Sequence, residues 1–165
     1  MADTELPDRW FKPAFQTLLQ DLGLLLLRLS AGVLMLSHGL PKWAHYAEKA
    51  HKFPDPLHIG SPLSLGLAIF AEVLCAALVM LGLGTRLASL VVVINFAVIV
   101  QIVHAGDPLG DKELAVFYLL AYAVLLLMGP GRFALDMAIK RLLDRPTPKQ
   151  SKSPKAPTKT LASDH

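Results

Sequence analysis

Four apolar stretches set the first constraint on this chain: about residues 22–40, 63–83, 87–104 and 114–128. The hydrocarbon core of a bilayer takes roughly 20 residues of helix, within a range of about 17–25. The first three stretches fit. The fourth, LAVFYLLAYAVLLLM, is short and borrows Glu113 and Gly129–Pro130 at its ends. A soluble four-helix bundle would need a polar stripe at helical spacing. These stretches carry isolated polar residues and no such stripe. Composition agrees: 53% of the 165 residues are hydrophobic and 18% charged, against about 25% charged in an ordinary soluble domain. The expected fold class is an all-α integral membrane protein, built as a four-transmembrane-helix bundle.

The connectors set the topology. GTR joins the second and third stretches and AGDPLGDK the third and fourth, so these neighbours run antiparallel. The first connector, PKWAHYAEKAHKFPDPLHIGSP, is longer and holds two turn signals, FPDP and GSP. Trp43, Tyr46 and Phe53 on it suit a membrane interface. An even number of spans puts both termini on one side. That side collects Arg9, Lys12, Arg86, Arg132, Lys140, Arg141 and Arg145, against Lys42, Lys49, Lys52 and Lys112 on the other. The bias predicts both termini on the cytoplasmic side.

Residues 1–20 form a polar cytoplasmic segment in this reading. It starts acidic and its apolar run comes late, unlike a cleavable signal peptide. Trp10, Phe11 and Lys12 look like an interfacial anchor. The membrane domain covers 21–130. After Gly129–Pro130–Gly131, the charges Arg132, Asp136, Lys140 and Asp144 recur every fourth residue. They give 131–145 one polar face, that of a C-terminal amphipathic interfacial helix. Residues 146–165 are rich in Pro, Lys and Ser and predict a disordered basic tail. The net charge of +3 gathers in that tail and not in a folded patch, so it marks topology and not nucleic-acid binding. Cys75 is the only cysteine, which rules out an intramolecular disulfide and a cysteine-built metal site.

Polar groups inside the spans cost energy and need partners or tasks. A charge at the bilayer centre costs at least about 2.5–3.5 kcal/mol. Arg28 lies low in the first span and Glu72 near the middle of the second, so the two are expected to form an intramembrane ion pair; snorkelling of Arg28 to the interface is the ordinary alternative. Ala68, Cys75 and Ala76 beside Glu72 would let another helix approach. Asn95 is expected in the polar bundle core, as an interhelical hydrogen-bonding group. At the opposite end, His38, Gln101, His104 and Glu113 converge from three spans, with Lys42 and Asp107 near. Two imidazoles and a carboxylate can move protons or hydrogen-bond the carbonyls of a quinone. They can also hold a metal, although no ligand spacing such as HExxH supports one, or simply face water. Tyr118 and Tyr122, one turn apart, read as bundle packing.

These residues also form a recognisable order. LLLLRLSAGVLMLSHGLPKW, with Arg28, Gly32, His38, Gly39 and Lys42, resembles the opening of the DoxX family of small bacterial membrane proteins. AEVLCAALVMLGLGTRLASL, with Glu72, Gly82, Thr85 and Arg86, is similar to its second block. GPGRFALDMAI, with Gly129–Arg132 and Asp136, is similar to its closing block, with Ala134 where the family often has Ser. The resemblance spans roughly residues 20–140. It implies a four-helix inner-membrane protein; some relatives are linked to quinone-coupled sulfur oxidation or to membrane oxidoreductase complexes.

Three functions follow as expectations. The leading one is a redox-associated subunit that binds a quinone or similar lipid and works with a partner oxidoreductase. The second is a non-enzymatic scaffold or assembly factor. The third is a small proton-coupled transporter of hydrophobic compounds, with Glu72 as the proton site. Whether the chain itself catalyses a reaction, and its oligomeric state, are not set by its sequence.

Overall fold

The computed structural model describes residues 13–143, and among them every regular element is helical. The interfacial anchor expected at Trp10–Lys12 and the basic tail expected at 146–165 lie outside the described residues. Helix α1 runs Pro13–Ala44 and α2 is the single turn Tyr46–Lys49. Then come α3 (Ser61–Leu81), α4 (Thr85–Val103), α5 (Leu109–Met128) and α6 (Leu135–Leu143).

Three of these helices, α1, α3 and α4, are long and apolar enough to cross a membrane. Four had been expected. Helix α5 has the length, at 20 residues, but Asp111, Lys112 and Glu113 fall inside it. It starts five residues before the apolar run because Pro108 suits the position ahead of a helix. Helix α1 likewise outruns its apolar core. It has 32 residues and passes through Pro41, whose lost amide hydrogen bond does not end it.

The helices form two ends. Asp21, the Gly82–Gly84 turn and the Gly129–Ala134 segment meet at what we call the near end. The 45–60 connector and the 104–108 turn lie at the far end. Between them the core is small and mixed: Ala31, Met35, Cys75, Ala76, Val79, Val92, Phe96, Tyr122 and Leu125 pack together. The outward face is apolar too, with Leu26, Val33, Leu87, Ile94 and Leu127 more than half exposed, as lipid contact demands.

Glycine fixes the register of α1 against α3. A Cβ built on Gly32 meets Met80, and one built on Gly39 comes within 2.7 Å of Val73 Cγ2 and 2.9 Å of Glu72 Cβ. Gly39 thus brings the two backbones together at the level of Glu72. Gly39→Ala is expected to destabilise the bundle by about 1–3 kcal/mol, the usual cost of overpacking. Unfolding in mixed micelles measures it.

Two stretches depart from α-helical geometry. Phe70–Cys75 in α3 and Ile99–Val103 in α4 are π-helical. Such insertions widen a helix by one residue per turn and concentrate at functional sites. The second ends at the far end; the first is in the middle of α3 and contains Glu72.

Candidate functional site

Arg28 and Glu72 are both buried, each 1% exposed, but they do not meet. The expected ion pair is corrected by the register just described. Glu72 is level with Gly39, eleven residues along α1 from Arg28, which is roughly 16 Å of helix. No arginine side chain spans that. The first stretch had been aligned on its apolar limits, which hide how far α1 continues at each end.

Arg28 belongs to the near end. Its guanidinium donates to the carbonyl of Pro130 and, at a longer 3.5 Å, to that of Phe133. Ala134 packs onto Gly82 there, so closely that a Cβ on Gly82 would sit 2.7 Å from the Ala134 Cβ. Gly82 also has a φ of +77°, so glycine is needed twice over. The carboxylate of Asp136 accepts from the Gly84 amide at 2.8 Å, and that of Asp21 from the Arg132 amide at 3.0 Å. Arg28 is neither paired with Glu72 nor snorkelling. It holds the segment after α5 onto the turn between α3 and α4.

Glu72 belongs to the far end, and its partner is Lys42. The Lys42 ammonium lies 2.5 and 2.7 Å from the two carboxylate oxygens. Lys42 is 27% exposed at its side chain, so the pair sits at the boundary between bundle interior and solvent. Lys42 follows Gly39 by three residues on the same stripe of α1 as Arg28, Ala31 and Met35. That stripe was the available signal for Lys42, which had been placed only near the site.

Around this pair two cavities open. The smaller, about 230 Å³, is lined by His38, Lys42, Glu72, His104, Asp111 and Tyr118, among others. The larger, about 400 Å³, lies between α3, α4 and the 53–59 loop, with walls almost wholly apolar. Lys42, Ile99 and His104 line both, so they form the partition between them. The π-helical stretches supply Phe70 and Ala71 to one cavity, Glu72 to the other, and Ile99 to both.

The expected far-end cluster is partly assembled. His38 and His104 line the same small cavity. The His38 ring meets the edge of Tyr118 at a centroid distance of 5.7 Å, and Tyr118 rests against Phe96 at 5.4 Å. His104 Nδ1 is 2.7 Å from Asp107 Oδ2, which leaves Nε2 for a ligand. Gln101 and Glu113 are exposed and line neither cavity, because their positions on α4 and α5 turn outward. Asn95 lines the larger cavity. Its buried amide nitrogen has no hydrogen-bond partner among the described residues, so it does not donate to another helix as expected. Tyr122 keeps its packing role, with its hydroxyl 3.4 Å from the Ala31 carbonyl. Tyr118 instead walls the small cavity.

The connector between α2 and α3 is also part of the site. Asp55 accepts from the amides of Ile59 (3.1 Å) and Gly60 (2.7 Å) and from the Ser64 hydroxyl (2.7 Å). It thereby ties the loop to the first turns of α3. The Ser64 hydrogen bond, opposed by partial burial and helped by both amides and by His58, holds the Asp55 carboxyl below its usual range. The tied loop binds a proton less readily than the open one. The tie is therefore at full strength above the ordinary carboxylate pKa and is lost as pH falls through the depressed value. The Gly60 amide resonance is expected to titrate with a midpoint below the ordinary aspartate value, which NMR measures directly.

Fold and site together define an all-helical membrane protein with a buried ion pair between two cavities. The chain belongs to the DoxX family: the DoxX family model matches residues 23–105, which hold α1 from its third turn through the end of α4. An uncharacterized membrane protein of Mycobacterium tuberculosis is 30% identical, over 70% of this chain and 80% of its own. An uncharacterized protein of Haemophilus influenzae is 28% identical, over 72% of this chain and 84% of its own. No solved structure matches.

Proposed function

We propose that the protein is a redox-associated membrane subunit that binds a quinone or a similar lipid at its far end and works beside a partner oxidoreductase. The observation that carries this reading is the partition: an apolar cavity and a polar one share Lys42, Ile99 and His104. A ligand with a greasy body and a carbonyl-bearing head matches that division. The head would lie by the Lys42 ammonium and His104 Nε2, both hydrogen-bond donors when protonated. His38 and Tyr118 would flank the ring. Electrons would have to come from the partner, since Cys75 is buried and alone.

The same proposal places α5 as a fourth span, its charged first turns at the far interface. It places the near end in the cytoplasm, where Arg86, Arg132, Lys140 and Arg141 gather. Helix α6 would lie along the inner surface of a bacterial inner membrane, with Leu135, Ile139 and Leu142 toward lipid.

The test is native mass spectrometry of the protein released from mild detergent, followed by quinone addition. Retained quinone is expected, together with a rise in thermal midpoint that scales with ligand concentration. The double variant His38→Ala/His104→Ala is expected to lose both. Protein that carries no quinone and shows no quinone-dependent stabilisation overturns the reading.

A further inference from the structure

We propose that the larger cavity is filled sideways from the bilayer by an uncharged, membrane-dissolved amphiphile passing between α3 and α4, while the 53–59 loop seals the cavity from water. This rests on the ligand-binding reading above and adds to it the route and the class of ligand.

Three observations carry it. First, the cavity has unlike sides. Phe53, Pro56, Leu57 and Ile59 line it from the loop, which Asp55 closes on itself through the Ile59 and Gly60 amides and fixes to α3 through the Ser64 hydroxyl. Leu67, Phe70 and Ile94 form its rim on the helices and are 46%, 45% and 56% exposed on the lipid-facing surface. The helix rim lies on the apolar outward face of α3 and α4, whereas the loop side, where Leu57 and Ile59 are 49% and 41% exposed, lies at the far end, so what separates the two sides is the tied loop.

Second, charge selects the head. Lys42 is already neutralised by Glu72, and Asp111 adds a second carboxylate to the small cavity. An acidic head would meet two carboxylates against one committed ammonium, and a fixed cation would compete with Lys42 for Glu72. A neutral head that only exchanges hydrogen bonds avoids both costs.

Third, the amide of Asn95 stands at the apolar wall without a partner for its nitrogen. Buried donors are almost always satisfied, so a donor left over beside a cavity points to an oxygen on what fills it.

The test uses full-length protein in nanodiscs and three probes: a quinone with a long isoprenoid tail, the same ring without a tail, and a tailed isoprenoid alcohol lacking the ring. Ile94→Trp narrows the lipid-side rim at an exposed position, and Leu74→Trp is the control at an exposed position of α3 one turn beyond the rim that does not line the cavity. Asp55→Ala and the milder Ser64→Ala loosen the loop. We expect Ile94→Trp to weaken both tailed probes by about tenfold or more and the tail-less ring by under about threefold. Leu74→Trp should change neither. Asp55→Ala should speed association of the tail-less ring from water by about tenfold, with Ser64→Ala in the same direction. Equal association of the tail-less ring with wild type and both loop variants, with tailed probes indifferent to Ile94→Trp, overturns the lateral route while leaving the quinone site standing. Binding of the tailed alcohol without preference for either quinone supports the route and defeats the quinone reading. Binding of none defeats both.

Discussion

Lys42→Ala destabilises the bundle by about 3–5 kcal/mol, the scale on which a buried charge stripped of its partner is felt. The asymmetry of the pair decides this. Glu72 is 1% exposed and its salt bridge among the described residues is to Lys42, whereas the Lys42 side chain is 27% exposed. Loss of lysine leaves an unpaired carboxylate enclosed beside the close α1–α3 contact at Gly39. Glu72→Gln leaves an ammonium that can turn toward solvent, and so costs less. The double variant Lys42→Met/Glu72→Leu recovers most of the lost stability, because apolar groups of similar volume replace a buried pair at little cost. On the proposed function it is expected not to recover quinone binding, because the proposed head-group donor is gone. Chemical unfolding in micelles, run beside a ligand-dependent thermal shift, separates the two effects. Full quinone binding by the double variant would show that the pair is structural alone.

Arg28→Leu acts at the other end and on a different segment. It leaves the part-buried Pro130 and Phe133 carbonyls without their donor, at up to about 1–3 kcal/mol in all, since water can reach the Phe133 side. Arg28→Lys keeps the charge but not the two-pronged donor, so it rescues only in part. The readout is local. Trypsin is expected to cut after Arg132 and Lys140 early in Arg28→Leu and late in wild type. The far-end cavities, built from other residues, keep their ligand response. Early cleavage with unchanged global stability would limit Arg28 to docking the last segment. Unchanged cleavage would remove it from that role.

The helices were legible in the sequence because hydrocarbon permits few solutions, and an apolar run with isolated charges has one reading. The pairing was not legible. Arg28 and Glu72 looked like natural partners because each lacked another, yet partnership depends on register, and register depends on where α1 begins and ends. The apolar run conceals both limits, since α1 is already helical at Pro13, the first described residue, and continues through Pro41. The partners of Arg28 are also not side chains but backbone carbonyls around the Gly129–Pro130–Gly131 break, which side-chain chemistry does not reveal. The two histidines converged as expected because alternating helices fix which ends meet. Gln101 and Glu113 did not join them, since end-of-helix arguments give height and not facing. The π-helical turns left no mark in composition; the one hint was the costly Glu72 within the first of them.

The contact between Arg28 and Pro130 joins residues 102 positions apart, and that distance has a consequence in time. At a synthesis rate of roughly 5–20 residues per second, the first helix waits roughly 5–20 seconds for the carbonyls that will accept from its guanidinium. During that interval a charged side chain must be held in water, by a lipid phosphate or within the insertion machinery. Only when the Gly129–Ala134 segment emerges can Arg28 make these contacts. The order in which the chain leaves the ribosome thus makes the near end the later of the two ends to close, because the Lys42–Glu72 pair needs only the first 72 residues.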